Sequence, residues 1–133
     1  MKAKRHLFYG LLLTLTLIFS LSSFASASSD KDEHAVKTIA KILSHVNHFP
    51  SAAEKKTLQK IADDSQSSAH VRTIANTMIH MQHSVSSGDK AKLKKIANDG
   101  QADDDVRQIA SILINFSHQP SRSDKKKLHD IMD

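Results

Sequence analysis

The sequence predicts an all-α fold of three tandem 35-residue helical hairpins, six helices in total. The main observation is an ungapped internal repeat. When the last 98 of the 133 residues are shifted by 35 and by 70 positions, eight columns hold the same residue three times. A fixed period between about 20 and 50 residues is typical of stacked supersecondary units. The apolar residues inside each repeat also follow a helical period, and a pattern typical of helix starts recurs three times. The eight columns are Val36/Val71/Val106, Ile39/Ile74/Ile109, Ala40/Ala75/Ala110, His48/His83/His118, Ser51/Ser86/Ser121, Lys55/Lys90/Lys125, Leu58/Leu93/Leu128 and Ile61/Ile96/Ile131.

The N-terminal segment, residues 1–27, is predicted to be a secretory signal peptide. It has a basic start, an uncharged apolar run from Leu7 to Leu21, and a small-residue cleavage site at Ala25–Ala27. A membrane anchor is the alternative, but a run of about 15 residues is shorter than the roughly 20 that span a bilayer. We therefore expect an exported protein, periplasmic or secreted, with no stable membrane anchor after cleavage.

Cleavage after residue 27 leaves residues 28–133 as a single helical-repeat domain. Its repeats are 32–66, 67–101 and 102–133. This part of the chain has 16 basic and 14 acidic residues, so its net charge is +2 and gives little support for nucleic-acid binding. Phe49 and Phe116 are its only aromatic residues, which are too few for base-stacking platforms. The chain has no cysteine, so its stability must come from helix packing, a partner or a bound ion.

The first helix of each repeat is recognised by a broad apolar face. In the first repeat it is predicted near residues 33–48, with starts near Ser68 and Ala102 in the other two. Pro50 and Pro120 then mark a break in two of the three copies, because proline cannot continue a helix interior. The apolar faces comprise Val36, Ile39, Ala40, Ile42, Leu43 and Val46, then Val71, Ile74, Ala75, Met78 and Met81, then Val106, Ile109, Ala110, Ile112, Leu113 and Phe116.

The second helix of each repeat is predicted from its start. Ser51, Ser86 and Ser121 are each followed three residues later by an acid, and Ser at the N-cap accepts a hydrogen bond from the third helical amide. An acid at that third position suits the positive end of the helix dipole, and in the first repeat Glu54 is expected to complete a capping box. A narrower apolar stripe follows, and the helix is expected to end near Asp64, Asp99 and the C-terminus.

Two arrangements of these helices agree with the pattern. Three hairpins stacked in order would form a short α-solenoid, and a closed six-helix bundle is the competing arrangement. The residues that identify a tetratricopeptide repeat are absent from their expected places, so the pattern names no family.

Two of the identical columns are not needed to build the helices, and the first is His48/His83/His118. His45 and His80 precede two of these residues by three positions. At the end of this predicted first helix, the His48 side chain lies about 120° from Val36 on a helical wheel, outside the apolar face. Stacked repeats would then expose the histidines as a ladder on the outside of the domain.

Three interpretations of this ladder remain open from the sequence. Histidines in the last turn of a helix stabilise its negative dipole end. Alternatively, His45, His48, His80, His83 and His118 are candidate ligands for Zn²⁺, Cu²⁺ or Ni²⁺. A third interpretation is a response to acid, since eight imidazoles would move the charge of residues 28–133 from +2 toward +10. Without the metal interpretation, no cofactor is expected.

The second unassigned column, Lys55/Lys90/Lys125, is a candidate basic face. Its simplest interpretation is a solvated helix surface, and its functional alternative is attraction of an anionic surface.

No enzyme is expected, because the sequence lacks a Gly-rich phosphate loop, a nucleophile elbow, a cysteine and a His-Glu-x-x-His pattern. The leading prediction is an exported, non-catalytic module that binds a protein or peptide partner in the cell envelope or outside the cell. The alternative is a metal-binding or acid-responsive protein that uses its histidines.

Overall fold

The structure is a computed structural model that describes residues 24–133, with side chains from residue 30 onward. The basic start and apolar run of the predicted signal peptide lie outside the described residues. None of the described helices is long and apolar enough to cross a membrane. Residues 24–133 contain isolated β-bridges but no β-strand. The six helices are α1 Phe24–His45, α2 Ala52–Asp63, α3 Ala69–His80, α4 Ser87–Ala97, α5 Asp104–Ile114 and α6 Arg122–Met132.

The prediction of an all-α fold with six helices is confirmed, and the helices form a closed bundle. The main packing pairs are α2 with α3, α4 with α5, and α6 with α1. The last pair joins the end of the chain to its beginning, so the three repeats form a ring with no free end. Each second helix therefore packs chiefly on the first helix of the next repeat, and only slightly on the first helix of its own repeat. The predicted hairpins pair the two helices of one repeat. In the structure, the tightly packed helix pairs join neighbouring repeats instead.

The core is built from the repeated apolar columns. The inner helices α1, α3 and α5 contact one another around the centre of the ring. Their alanine column is fully buried, and the isoleucine column three residues after the repeated valine is 1% exposed in every copy. Leu58, Leu93 and Leu128, one on each outer helix, are also fully buried. Because these alanine, isoleucine and leucine columns are buried equally in all three copies, the repeat in sequence is also a repeat in packing.

The first helix of repeat one differs from its predicted bounds at both ends. It begins at Phe24, earlier than expected, and it ends at His45 instead of continuing to His48. The residue before a proline is disfavoured in α conformation, which constrains Phe49 before Pro50. His48 itself has a positive φ of 71°, a conformation that no α-helix contains. The helical-wheel position calculated for His48 was therefore wrong, because the residue lies in a linker.

The predicted caps of the outer helices are confirmed. Ser51, Ser86 and Ser121 are the N-caps of α2, α4 and α6, and each side chain accepts a hydrogen bond from the amide three residues later. Ser51 forms the expected capping box with Glu54. The structure adds a second box, in which Asp124 accepts a hydrogen bond from the Ser121 amide.

Ser86→Ala is expected to lower the free energy of unfolding by about 0.5–2 kcal/mol, because the Asp89 amide would lose the Ser86 oxygen that caps α4. Urea unfolding followed by circular dichroism measures this loss. Ser87→Ala is the matched control, since Ser87 is the exposed first residue of the same helix. An equal cost for the two changes would contradict the assignment of Ser86 as the cap.

An acidic group at the start of α5 provides a test of stability against pH. The pKa of Asp105 is raised above its ordinary value by partial desolvation and by the neighbouring Asp103 and Asp104 carboxylates. Its folded-state pKa therefore exceeds its unfolded-state pKa. The stability that this group contributes is fully present below the unfolded pKa of about 3.9 and is lost as the pH rises through the folded value. Asp105→Asn is accordingly expected to make the protein more stable at pH 7, as thermal unfolding would show. The gain should shrink toward pH 3, and a gain that is independent of pH would contradict this explanation.

Candidate metal centre

One end of the bundle is formed by the three linkers inside the repeats, residues 46–51, 81–86 and 115–121. Because the repeats form a ring, these linkers meet around its axis. The amide of His48 donates to the carbonyl oxygen of His118 at 2.5 Å, and the amide of His118 donates to the carbonyl oxygen of His83 at 2.7 Å. A short antiparallel bridge between Ser84 and Ser117 adds a further connection. The backbone thus holds equivalent residues of three repeats at one place.

The backbone conformation at two of the histidines directs them toward the place where the linkers meet. His48 and His118 are the only non-glycine residues with positive φ among those described, at 71° and 63°. Histidine is one of the residue types enriched in this left-handed region, which most side chains avoid. Such conformations persist where the surrounding structure over-determines them, and they cluster at ligand sites. Here the hydrogen bonds between linkers supply that constraint.

The three imidazole rings of His48, His83 and His118 form a compact triangle, called the His triad from here on. Their ring centroids are 4.9, 5.0 and 5.2 Å apart. The Nδ1 atom of His48 lies 3.0 Å from Nδ1 of His83 and 3.0 Å from Nδ1 of His118. One nitrogen from each ring can be chosen so that all three lie within 4.8 Å of one another. Within residues 30–133, this is the one group of three or more potential metal ligands placed so closely.

Hydrogen bonding among the rings cannot satisfy this arrangement. Each Nδ1 carries either one proton or one in-plane lone pair. The His48 nitrogen faces two equivalent partners at the same distance, so its single proton or lone pair cannot form a well-directed bond to both. A cation at the centre would bind all three lone pairs together. Tetrahedral metal–nitrogen bonds of 2.0–2.1 Å place the nitrogens about 3.3 Å apart, close to the two 3.0 Å separations that join His48 Nδ1 to the other rings.

The His triad is accessible from solvent on its outer side. His83 and His118 are exposed and His48 is half-buried. Three protein ligands with one open position are typical of zinc sites that bind water or another ligand. The triad therefore has the donor set of a metal centre that is closed on the protein side and open on the other.

The other candidate histidines are not part of the triad. His45 and His80 occupy the last turns of α1 and α3, where each Nδ1 lies 2.8 Å from a carbonyl oxygen four residues earlier, in Lys41 and Asn76 respectively. These contacts match the helix-capping interpretation. In the third repeat the equivalent residue Asn115 donates in the same way to Ser111. The two sets of histidines thus differ: His45 and His80 contact helix ends, whereas the residues three positions later meet at the junction of the linkers.

The basic column lies at the same end of the bundle as the His triad. Lys55, Lys90 and Lys125 are the fourth residues of α2, α4 and α6, which begin directly after the linkers. Helical side chains lean toward the helix N-terminus, so these lysines lean toward the linker end. The Nζ atom of Lys55 lies 5.7 Å from the centroid of the Phe49 ring.

Acidic residues at this end of the bundle are engaged by the helix starts. Glu54 accepts from the Ser51 amide at 2.7 Å, and Asp124 accepts from the Ser121 hydroxyl at 2.7 Å. The pKa of Asp89 is below its ordinary value because Lys92 and the Ser86 hydroxyl donate hydrogen bonds to its carboxylate. These carboxylates stabilise the caps and do not join the group of close metal ligands.

The expected ladder of stacked histidines does not form. The repeats are arranged around an axis instead of along one, so equivalent residues converge on a point. Sequence reasoning also missed the exposed side chain of Phe49, beside His48, because its equivalents in the other repeats are Ser84 and Gln119. Pro50 and Pro120 were the one indication in the sequence that His48 and His118 lie outside the helices.

No protein-family model, curated protein or solved structure matches this chain.

Proposed function

We propose that this protein binds one divalent transition-metal ion through the Nδ1 atoms of the His triad. The observation that carries the proposal is the convergence of His48, His83 and His118, one from each repeat, with Nδ1 of His48 lying 3.0 Å from Nδ1 of each of the other two. Three residues separated by 35 and 70 positions in the chain meet where their lone pairs can share one cation. The ring closure that brings them together serves the core, while the histidines themselves add little apolar burial.

The donor set favours borderline metals. Neutral imidazole suits Zn²⁺, Cu²⁺ and Ni²⁺, whereas Ca²⁺ and Mg²⁺ require oxygen ligands. The chain has no cysteine, so thiolate sites for Cu⁺ or iron–sulfur clusters have no ligands here. Among the divalent ions, affinity should follow the usual order, with Cu²⁺ above Ni²⁺ and Zn²⁺. Protons compete for the same ring nitrogens, so binding should weaken as the pH falls.

Calorimetric titration of residues 28–133 with Zn²⁺ tests the proposal. The expected stoichiometry is one ion per chain, and His83→Gln should weaken binding by at least tenfold because one of three ligands is lost. His80→Gln is the matched control: it removes an exposed imidazole three residues away and should leave the site intact. Equal affinity in the wild type and His83→Gln, or an equal loss in both variants, would refute the His triad as the site.

Binding to a protein or peptide partner remains a prediction from the repeat architecture. Among the described residues, Phe49 is the one large hydrophobic side chain that is exposed. Any partner surface beyond it would have to be broad and polar.

A further inference from the structure

We infer that the metal centre binds a carboxylate that carries an apolar group, with the carboxylate on the open coordination position and the apolar group on Phe49. This inference rests on the proposed metal binding and specifies the ligand of that site. The supporting observations are the open side of the triad, the charged groups at this end of the bundle, and the exposed ring of Phe49, the residue after His48.

The charge at the site favours an anion. Three neutral imidazoles leave the charge of a divalent ion uncompensated. The Glu54, Asp89 and Asp124 carboxylates accept hydrogen bonds at the helix starts, and none of them belongs to the ligand group. The positive ends of the α2, α4 and α6 dipoles also lie at this end of the bundle. A neutral fourth ligand would leave this positive potential unbalanced, whereas an anionic oxygen would reduce it.

The Lys55/Lys90/Lys125 column also favours an anionic ligand. Neither Lys55, Lys90 nor Lys125 takes part in any ion pair among residues 30–133. All three occupy the turn that follows a capped helix start at the linker end. One lysine of each repeat therefore lies at the end of the bundle that carries the His triad. Cationic groups around a cleft raise the local concentration of anionic ligands.

Phe49 makes the first linker different from the other two at the residue that follows the triad histidine. Its side chain is 54% exposed, whereas the other large hydrophobic side chains in the described part of the chain are buried or partly buried. It follows His48 in the same linker, and Lys55 lies over its ring. Ser84 and Gln119 occupy the equivalent positions of the other two linkers. In the first repeat, a cation and an exposed aromatic surface thus follow directly on a triad histidine, which suits a ligand with both a carboxylate and an apolar body.

Cobalt provides the readout, because the visible absorption of four-coordinate Co²⁺ changes when its fourth ligand changes. The Co²⁺-loaded protein would be titrated with acetate, 3-phenylpropionate, and a tetrapeptide that ends in phenylalanine with a free carboxylate. All three should change the spectrum, and both phenyl ligands should bind about three- to tenfold more tightly than acetate through contact with Phe49. The amidated tetrapeptide is the control and should have no effect. Tighter binding of the peptide than of 3-phenylpropionate would identify a chain terminus as the source, and the reverse would identify a free organic acid.

Two variants test the separate contributions of Phe49 and Lys55 to carboxylate binding. Phe49→Ser places the residue of the second repeat at this position and should remove the advantage of the phenyl ligands over acetate. Lys55→Gln should weaken all carboxylates by about threefold, whereas Lys60→Gln, with the same change of charge in the last turn of α2, should not. Stoichiometric Co²⁺ binding with a spectrum unaffected by every carboxylate would overturn this inference and leave metal binding intact. Failure to bind Co²⁺ would instead overturn the proposed metal site.

Discussion

Leu128→Ala is expected to lower the free energy of unfolding by about 2–5 kcal/mol, as deletion of a fully buried leucine does when the cavity cannot collapse. Leu128 is 0% exposed on α6, the helix that packs on α1 and closes the ring. Because closure gives α6 the same surroundings as the other outer helices, Leu93→Ala in the middle of the chain should cost a similar amount. Urea unfolding of both variants measures the two costs.

The comparison of these two leucines distinguishes the ring from an open array. In an open solenoid the terminal helix has only one neighbour and frays, so Leu128→Ala would cost much less than Leu93→Ala. Lys127→Ala, an exposed change next to Leu128, is the control and should alter stability by no more than about 0.5 kcal/mol. A small cost at Leu128 together with a large cost at Leu93 would show that α6 does not close the ring in solution.

Zn²⁺ is expected to stabilise the folded protein by about 2.7 kcal/mol when its free concentration is 100 times the dissociation constant, because only the folded chain brings the His triad together. For a domain of this size the midpoint of thermal unfolding should rise by roughly 10 °C. A chelator should reverse the shift. Zn²⁺ stabilises the protein by binding to the folded state, so the dissociation constant measured by calorimetry must account for the shift in the midpoint of thermal unfolding.

His118→Gln separates this stabilisation from the intrinsic stability of the fold. Without metal the variant should unfold within about 1 kcal/mol of the wild type, because His118 is exposed and contributes little to the core. With Zn²⁺ it should show no comparable rise in midpoint. His45→Gln, which changes a helix-end histidine, should respond to Zn²⁺ as the wild type does. A variant that has lost His118 and is still stabilised as much as the wild type would place the metal elsewhere.

The repeat predicted the composition of the core more completely than its connections. The columns at Val36, Ile39 and Ala40 follow a helical period, and their burial in all three copies is a direct consequence of that period. The pairing of helices was not predictable in the same way. The linker inside the first repeat, residues 46–51, and the loop between the first two repeats, residues 64–68, have nearly equal lengths. Short connections permit a tight hairpin on either side of an outer helix, so the choice depends on tertiary packing.

The His triad could not be predicted from the sequence because its formation also depends on how the helices pair. Histidine occupies one column and proline lies nearby in two repeats, but these residues do not specify whether the repeats stack along a line or close around an axis. Only closure places residues 35 and 70 positions apart within hydrogen-bonding distance. Phe49 was undetectable for a different reason, since a residue that occurs in one repeat of three gives no column.

Direct identification of the metal ligands would test the central claim, that one nitrogen from each repeat binds the same ion. A long-range proton–nitrogen correlation spectrum of uniformly ¹⁵N-labelled residues 28–133 distinguishes Nδ1 from Nε2 in every imidazole. With one equivalent of Zn²⁺, we expect metal-bound Nδ1 and protonated Nε2 in His48, His83 and His118, and unchanged rings in the remaining histidines. Metal-bound rings at His45 or His80, coordination through fewer than three of the triad, or an unchanged spectrum would contradict it.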